Sequence, residues 1–255
     1  MKRDLRDNLS SIRTKHEIKH SKILSQSDPE LIWNWNTPAG MLRADRRAEL
    51  ITKGSRLGPG VCALEIGCGT GMFTEMFAKT GAKLTAVDIS LDLLKKAQAR
   101  NLPPDRVLFL EKRIEDYDTD DSFDAVIGSS VLHHLDIETA LKKIYTLLRP
   151  GGVMCFTEPN MLNPQVFIER KFRFLLPFLW YVSADETAIV RWKFRDLLKK
   201  IGFDNIEIMP FDWLHPATPT PLIRLMSNIG KLLENTPVLR EFSGSLYIQC
   251  RRPPS

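Results

Sequence analysis

The sequence predicts an α/β fold in which a mostly parallel sheet is covered by helices on both faces. Three observations predict it. Short apolar runs alternate with helix-patterned segments, Val61 to Asp88 forms a complete strand, turn, helix and strand unit, and Arg149-Pro150-Gly151-Gly152 turns the chain into a run apolar enough to be buried on both faces. With 255 residues and 43% hydrophobic content the chain can bury one large core. The charge of +5 and a pI near 9.0 are only moderately basic, and scattered lysines explain them without a nucleic-acid partner. Cys62, Cys68, Cys155 and Cys250 form no C-x-x-C pair, so buried reduced thiols are expected, Cys68 filling space in its loop. Neither an N-terminal apolar leader nor a run of about 18 apolar residues is present, and a cytoplasmic setting is expected.

Residues 1–54 read as a helical extension. Leu5, Leu9 and Ile12 share one face of a basic amphipathic helix that Asp28-Pro29 interrupts. Trp33 and Trp35 follow, Thr37-Pro38-Ala39-Gly40 reads as a turn, and Met41 to Ile51 as a helix carrying Arg43, Arg46 and Arg47. The main domain, 55–255, opens with strand Val61 to Ile66. Gly67, Gly69 and Gly71 then turn tightly, and Met72 to Lys79 has a helix period that Gly81 ends. Lys83 to Val87 is the second strand, with Asp88 at its carboxyl end. Such a unit suits a nucleoside, because helix amides face its charged part and the acid accepts from ribose hydroxyls.

The spacing acid-x-Gly-x-Gly-x-Gly, from Glu65 to Gly71, differs from a dinucleotide fingerprint, whose third glycine would fall at Met72. With Asp88, the segment resembles the class I S-adenosylmethionine-dependent methyltransferases. The resemblance runs to about Asn160, through Ser122-Phe123-Asp124, Leu132-His133-His134-Leu135 and the Arg-Pro-Gly-Gly turn. It implies a Rossmann-like seven-stranded sheet of order 3-2-1-4-5-7-6, with S-adenosyl-L-methionine as cofactor and S-adenosyl-L-homocysteine as product. It also implies a cofactor site of Glu65, Gly67, Gly69, Thr70, Gly71, Asp88, Ile89, Ser129 and Ser130. Where the family has an acid for the adenine amino group, this chain has Arg113-Ile114. An arginine stacks but does not accept, so Glu115 or Asp116 substitutes and Ile114 supplies backbone and an apolar wall. The family's habit of laying the leading segment over the substrate mouth makes Trp33, Trp35 and Arg43 wall residues.

The remaining elements follow in order. Leu91 to Arg100 is a helix capped by Ser90, Val107 to Glu111 the third strand, Ala125 to Ser129 the fourth, and Leu135 to Leu148 a helix with Leu141, Ile144, Tyr145 and Leu148 at core spacing. Val153 to Thr157 is the fifth strand, Thr187 to Ile201 a helix, Ile206 to Phe211 the sixth strand and Ser245 to Arg251 the last. Two segments read as lids. One, about 161–185, joins Arg170, Lys171 and Arg173 to an aromatic run from Phe174 to Val182; the other, 213–243, holds a Pro-rich linker and a helix with Leu222, Leu225, Met226, Ile229, Leu232 and Leu233 in period.

For an oxygen nucleophile a histidine base suits neutral pH, and His134, with His133 second, stands at the mouth past the fourth strand. Glu158, Asn160 and His215 are candidates for orienting substrate, and no metal is expected. The reading is O-methylation of a small hydrophobic or lipid-linked acceptor, with peripheral contact at the inner membrane face and oligomeric state open. A nucleic-acid methyltransferase and a non-catalytic scaffold keeping the fold are the alternatives.

Overall fold

The computed structural model describes residues 15–171 and 188–254. Leu5, Leu9 and Ile12, and the aromatic run from Phe174 to Val182, lie outside the described residues. Among the described residues one seven-stranded sheet runs β3-β2-β1-β4-β5-β7-β6. The strands are β1 (Cys62–Ile66), β2 (Lys83–Asp88), β3 (Val107–Glu111), β4 (Phe123–Ser129), β5 (Leu148–Pro159), β6 (Asp204–Phe211) and β7 (Ser245–Arg251). β1 to β5 pair in parallel, and β7 enters antiparallel between β5 and β6.

Strand alternation divides the core in two. Leu64, Ile66, Val126, Met154 and Phe156 face α6 (Ile137–Leu147) and α8 (Arg191–Ile201). Ala63, Leu84, Ala125, Ile127 and Cys155 face α3 (Pro38–Ser55) and α4 (Met72–Ala78), and α5 (Leu91–Gln98) packs on β2 and β3. Three of the four cysteines are buried, but Cys62 is exposed, because the first residue of β1 lies at the open edge of the core.

Before the sheet, residues 15–25 form α1, and Pro29–Ile32 forms α2, whose N-cap is Asp28. The Thr37 to Gly40 stretch is the start of α3, not a turn. The Thr37 hydroxyl accepts from Gly40 N–H at 2.9 Å and Pro38 takes the first helical position, where a missing N–H costs nothing. β5 also starts five residues before its expected beginning. Leu148 pairs with Phe123, the register shifts before Ala125, and Gly151 at φ 78° absorbs the irregularity, so the Arg-Pro-Gly-Gly turn lies inside the strand. Beyond β5 come α7 (Pro164–Lys171) and, between β6 and β7, α9 (Ile223–Asn235).

Candidate active site at the carboxyl end of the sheet

A cavity of about 1150 Å³ opens over the carboxyl ends of β1, β2 and β4. Its floor is the glycine loop, held by short-range chemistry. Gly67 N–H donates to Val87 O at 2.8 Å and Gly69 N–H to Asp88 Oδ2 at 2.8 Å, while Asp88 Oδ1 accepts from Ser90 N–H at 2.8 Å. Gly69 has φ 54°, and a Cβ there would meet only Trp33 Cη2, at 3.9 Å, so its backbone is open to the cavity. Asp88 sits partly buried at the rim, and loss of water raises its pKa. Arg100 locks the loop from outside: its Nε donates to Thr70 O at 2.7 Å, one Nη pairs with Glu75 at 2.6 Å and the other with Glu30, whose carboxylate also accepts from the Thr70 hydroxyl at 2.7 Å.

The expected cofactor residues divide by geometry. Gly67, Gly69, Thr70, Asp88, Ile89, Arg113, Ile114, Ser129 and Ser130 line the cavity. Glu65 and Gly71 lie beneath it. Strand alternation points Glu65 with Ala63 toward α4; it is 2% exposed, and burial raises it to about 8. Arg113 lines the wall with Asp116 at 3.1 Å and Glu115 at 3.7 Å; of these two acids, only Glu115 reaches the cavity.

Past β4 the chain turns through Ser130, at φ 58°, into a 3-10 turn, Leu132–His134. Alternation along β5 sends Thr157 toward α3 and Glu158 toward this turn. Glu158 is wholly buried; one oxygen accepts from Val131 N–H at 2.9 Å and Leu132 N–H at 2.8 Å, and the other meets His133 Nδ1 at 2.7 Å. Burial lifts Glu158 to about 7, against these two amides. His134 lies 4.1 Å from His133, ring to ring, and its Nδ1 pairs with Glu17 of α1 at 3.0 Å. Both rings line the cavity.

The remaining wall comes from α3 and the strand ends. Trp33, Trp35, Arg43 and His215 line it, and Trp35 stands edge-on to Phe73 at 5.7 Å. Asn160 does not: its Nδ2 donates to Glu241 O and Ser243 O, both at 2.8 Å, holding the loop before β7. Sequence reasoning missed Arg47, Asp212 and Glu17. Arg47, 3% exposed, donates to Ser130 Oγ at 3.1 Å and to Ser245 Oγ. Its place one helical turn after Arg43 was the available signal; nothing local marks Asp212.

A family model described as a methyltransferase domain matches residues 64–156. An uncharacterized methyltransferase of Mycobacterium tuberculosis is 28% identical over 199 residues, covering 75% of this chain and 87% of that one. The chain is a class I S-adenosylmethionine-dependent methyltransferase. A ubiquinone biosynthesis O-methyltransferase of Xanthomonas axonopodis is 32% identical to this methyltransferase over 133 residues, 50% of this chain and 56% of that protein. In fold it is similar to the N-methyltransferase NodS of Bradyrhizobium japonicum in complex with S-adenosyl-L-homocysteine, with TM-score 0.62, 18% identity, and 92% and 98% of the two chains covered. The [4+2]-cyclase SpnF is similar too, with TM-score 0.58, 18% identity, and 83% and 81% covered, so the fold alone does not select a reaction. The backbone open at Gly69, the rim carboxylate of Asp88 and the cavity volume fit the cofactor. When bound, S-adenosyl-L-methionine supplies a methyl group made electrophilic by its sulfonium sulfur.

Proposed function

We propose that this methyltransferase acts on an oxygen of a small hydrophobic or lipid-linked acceptor, with His133 as general base. The observation that carries the reading is the 2.7 Å contact between Nδ1 of His133, in the cavity wall, and the Glu158 carboxylate buried behind it. An ionised Glu158 would keep the proton on Nδ1 and orient the ring, and Nε2 would take the proton of an acceptor hydroxyl as its oxygen attacks. His134 is tied to Glu17 and stands behind His133 as a packing neighbour. Asp88 would accept from the donor's ribose hydroxyls, the Gly67 to Gly69 backbone would approach its charged tail, and Ile89, Ile114 and Arg113 would wall the adenine, with Glu115 receiving its amino group. Trp33, Trp35 and His215 would bound the acceptor. An oxygen acceptor accords with the O-methyltransferase name of the ubiquinone-biosynthesis relative.

The test is transfer of labelled methyl from the donor to organic-phase and aqueous cell extracts. Label is expected in the organic phase as a base-stable methyl ether. His133→Asn is expected to lower transfer by about 10²-fold or more while binding S-adenosyl-L-homocysteine as wild type does by calorimetry. Label recovered as a methylamine, or activity within a few-fold of wild type in the variant, contradicts the reading.

Peripheral membrane contact is proposed on a separate observation. No helix among the described residues is long and apolar enough to cross a membrane. Yet Leu222, Leu225, Ile229 and Leu232 make one stripe along α9 and its approach, exposed at 47%, 56%, 39% and 68%, with Arg224 and Lys231 alongside. An apolar stripe flanked by cations suits an anionic bilayer surface.

A further inference from the structure

Arg43, Arg46 and Arg47 rise from successive turns of α3 and meet two carboxylates. Glu234 closes Arg46 with bonds of 2.8 and 2.5 Å and accepts Asp212 N–H at 2.9 Å. Arg43 and Arg47 are left to share Asp212, at 2.9 Å from Arg43 Nε and 3.6 Å from an Nη of Arg47. The side chains of Arg43, Arg47 and Asp212 are 15%, 4% and 3% exposed, so two guanidinium groups and one carboxylate are withdrawn from water together. Among the described residues Asp212 is the one carboxylate that these two guanidinium groups contact. Glu158, the other carboxyl that acts on Arg47, is committed to His133 and two amides, and burial lifts it to about 7. Burial, with the charge of Arg43 beside it, pushes Arg47 down to about 10.

The two arginines differ in what they have left to give. Arg47 donates to Ser130, Thr157 and Ser245, which ties the ends of β4, β5 and β7 together. Arg43 uses only Nε; among the described residues its two Nη groups meet no acceptor. Its guanidinium lines the cavity with Cζ 5.5 Å from the Trp35 ring centroid, and Asp212 fixes its position from below. The terminal fork of a guanidinium so held presents paired N–H groups to a planar oxyanion.

We propose that Arg43, reinforced by the fixed charge of Arg47, is a carboxylate subsite, and that the methyl acceptor is an amphiphilic acid with an apolar body and a carboxylate head. This rests on reading the cavity as a methyl-transfer site and names the class of its acceptor. The donor's amino-acid tail also carries a carboxylate, but position favours the acceptor. Asp212 turns back over Ser245 at the start of β7, four strand places from β2, where Asp88 stands, or roughly 19 Å at the usual interstrand spacing.

The probes are 4-butylbenzoate and its neutral isostere 4-butylbenzamide, titrated by calorimetry at constant ionic strength into protein saturated with S-adenosyl-L-homocysteine. Wild type is expected to bind the acid at least tenfold more tightly than the amide. That preference falls below twofold in Arg43→Gln and returns in part in Arg43→Lys, while affinity for S-adenosyl-L-homocysteine stays within twofold throughout. Equal binding of acid and amide by wild type overturns the subsite, and a preference that survives in Arg43→Gln overturns its assignment to Arg43. A tenfold loss of S-adenosyl-L-homocysteine in Arg43→Gln, with binding of the tail-less 5′-methylthioadenosine unchanged, overturns the acceptor assignment in favour of the donor's carboxylate. Failure of the O-methylation reading would look different: the acid preference would stand and the methyl ether would be missing.

Discussion

At Glu65 the chain buries a carboxyl group whose Oε2 has no hydrogen-bond partner, and loss of water lifts its pKa to about 8. The folded value lies above the ordinary one of 4.5, so the native state keeps a proton that the unfolded chain releases. The stability this supplies is complete below about pH 4.5 and is lost as pH rises to about 8. Glu65→Gln keeps the neutral shape at every pH. Its stability relative to wild type should therefore climb by about 1.4 kcal/mol per pH unit across that window, and urea denaturation at pH 5, 7 and 9 giving a flat difference would contradict the assignment. Glu65 also shows how far single residues were legible. Its spacing to the glycines marked the loop, but only the strand's alternation shows that it supports the loop from beneath. His133 and Glu158 were each noticed alone; their pairing joins residues 25 apart, which no local pattern encodes.

Among the elements, α4 and α5 are locked together at Gly71, the left-handed N-cap of α4. A Cβ there would stand 2.9 Å from Ala97 Cβ and 3.0 Å from its Cα, at φ 76°. Gly71→Ala should cost on the order of 1–3 kcal/mol and lower Tm by several degrees. Gly58→Ala, with nothing within 4 Å, is the control and should fall within about 0.5 kcal/mol of wild type. On α9, Leu225→Gln with Leu232→Gln should reduce co-sedimentation with anionic vesicles several-fold without changing Tm; equal sedimentation removes the membrane contact. Helix and strand types were readable throughout because apolar period is local. Boundaries moved where a competing local effect took over: Thr37 and Pro38 cap a helix that looked like a turn, and Gly151 lets β5 run on past a turn signal.

For the whole molecule, the leading segment is tied across the cavity at three points. Glu17 meets His134, the Ser27 carbonyl accepts from Lys96 at 2.8 Å, and Glu30 joins Thr70 and Arg100. Leu24, 4% exposed, lines the same cavity. A chain lacking residues 1–27 should keep its sheet, with far-ultraviolet dichroism unchanged, yet release S-adenosyl-L-homocysteine at least tenfold faster in stopped-flow fluorescence; unchanged release would show that the segment does not cover the site. The sequence by itself determined the glycine loop, Asp88 and the strand periods, which act within a few dozen residues, and through them the family resemblance that implies the sheet order, the cofactor and the reaction class. Only the tertiary structure decided which carboxylate stands behind each histidine and which arginines face a shared acid. Those groups come from α1, α3, the turn after β4, β5 and the turn after β6, and their charges act on one another only once folding removes the water between them.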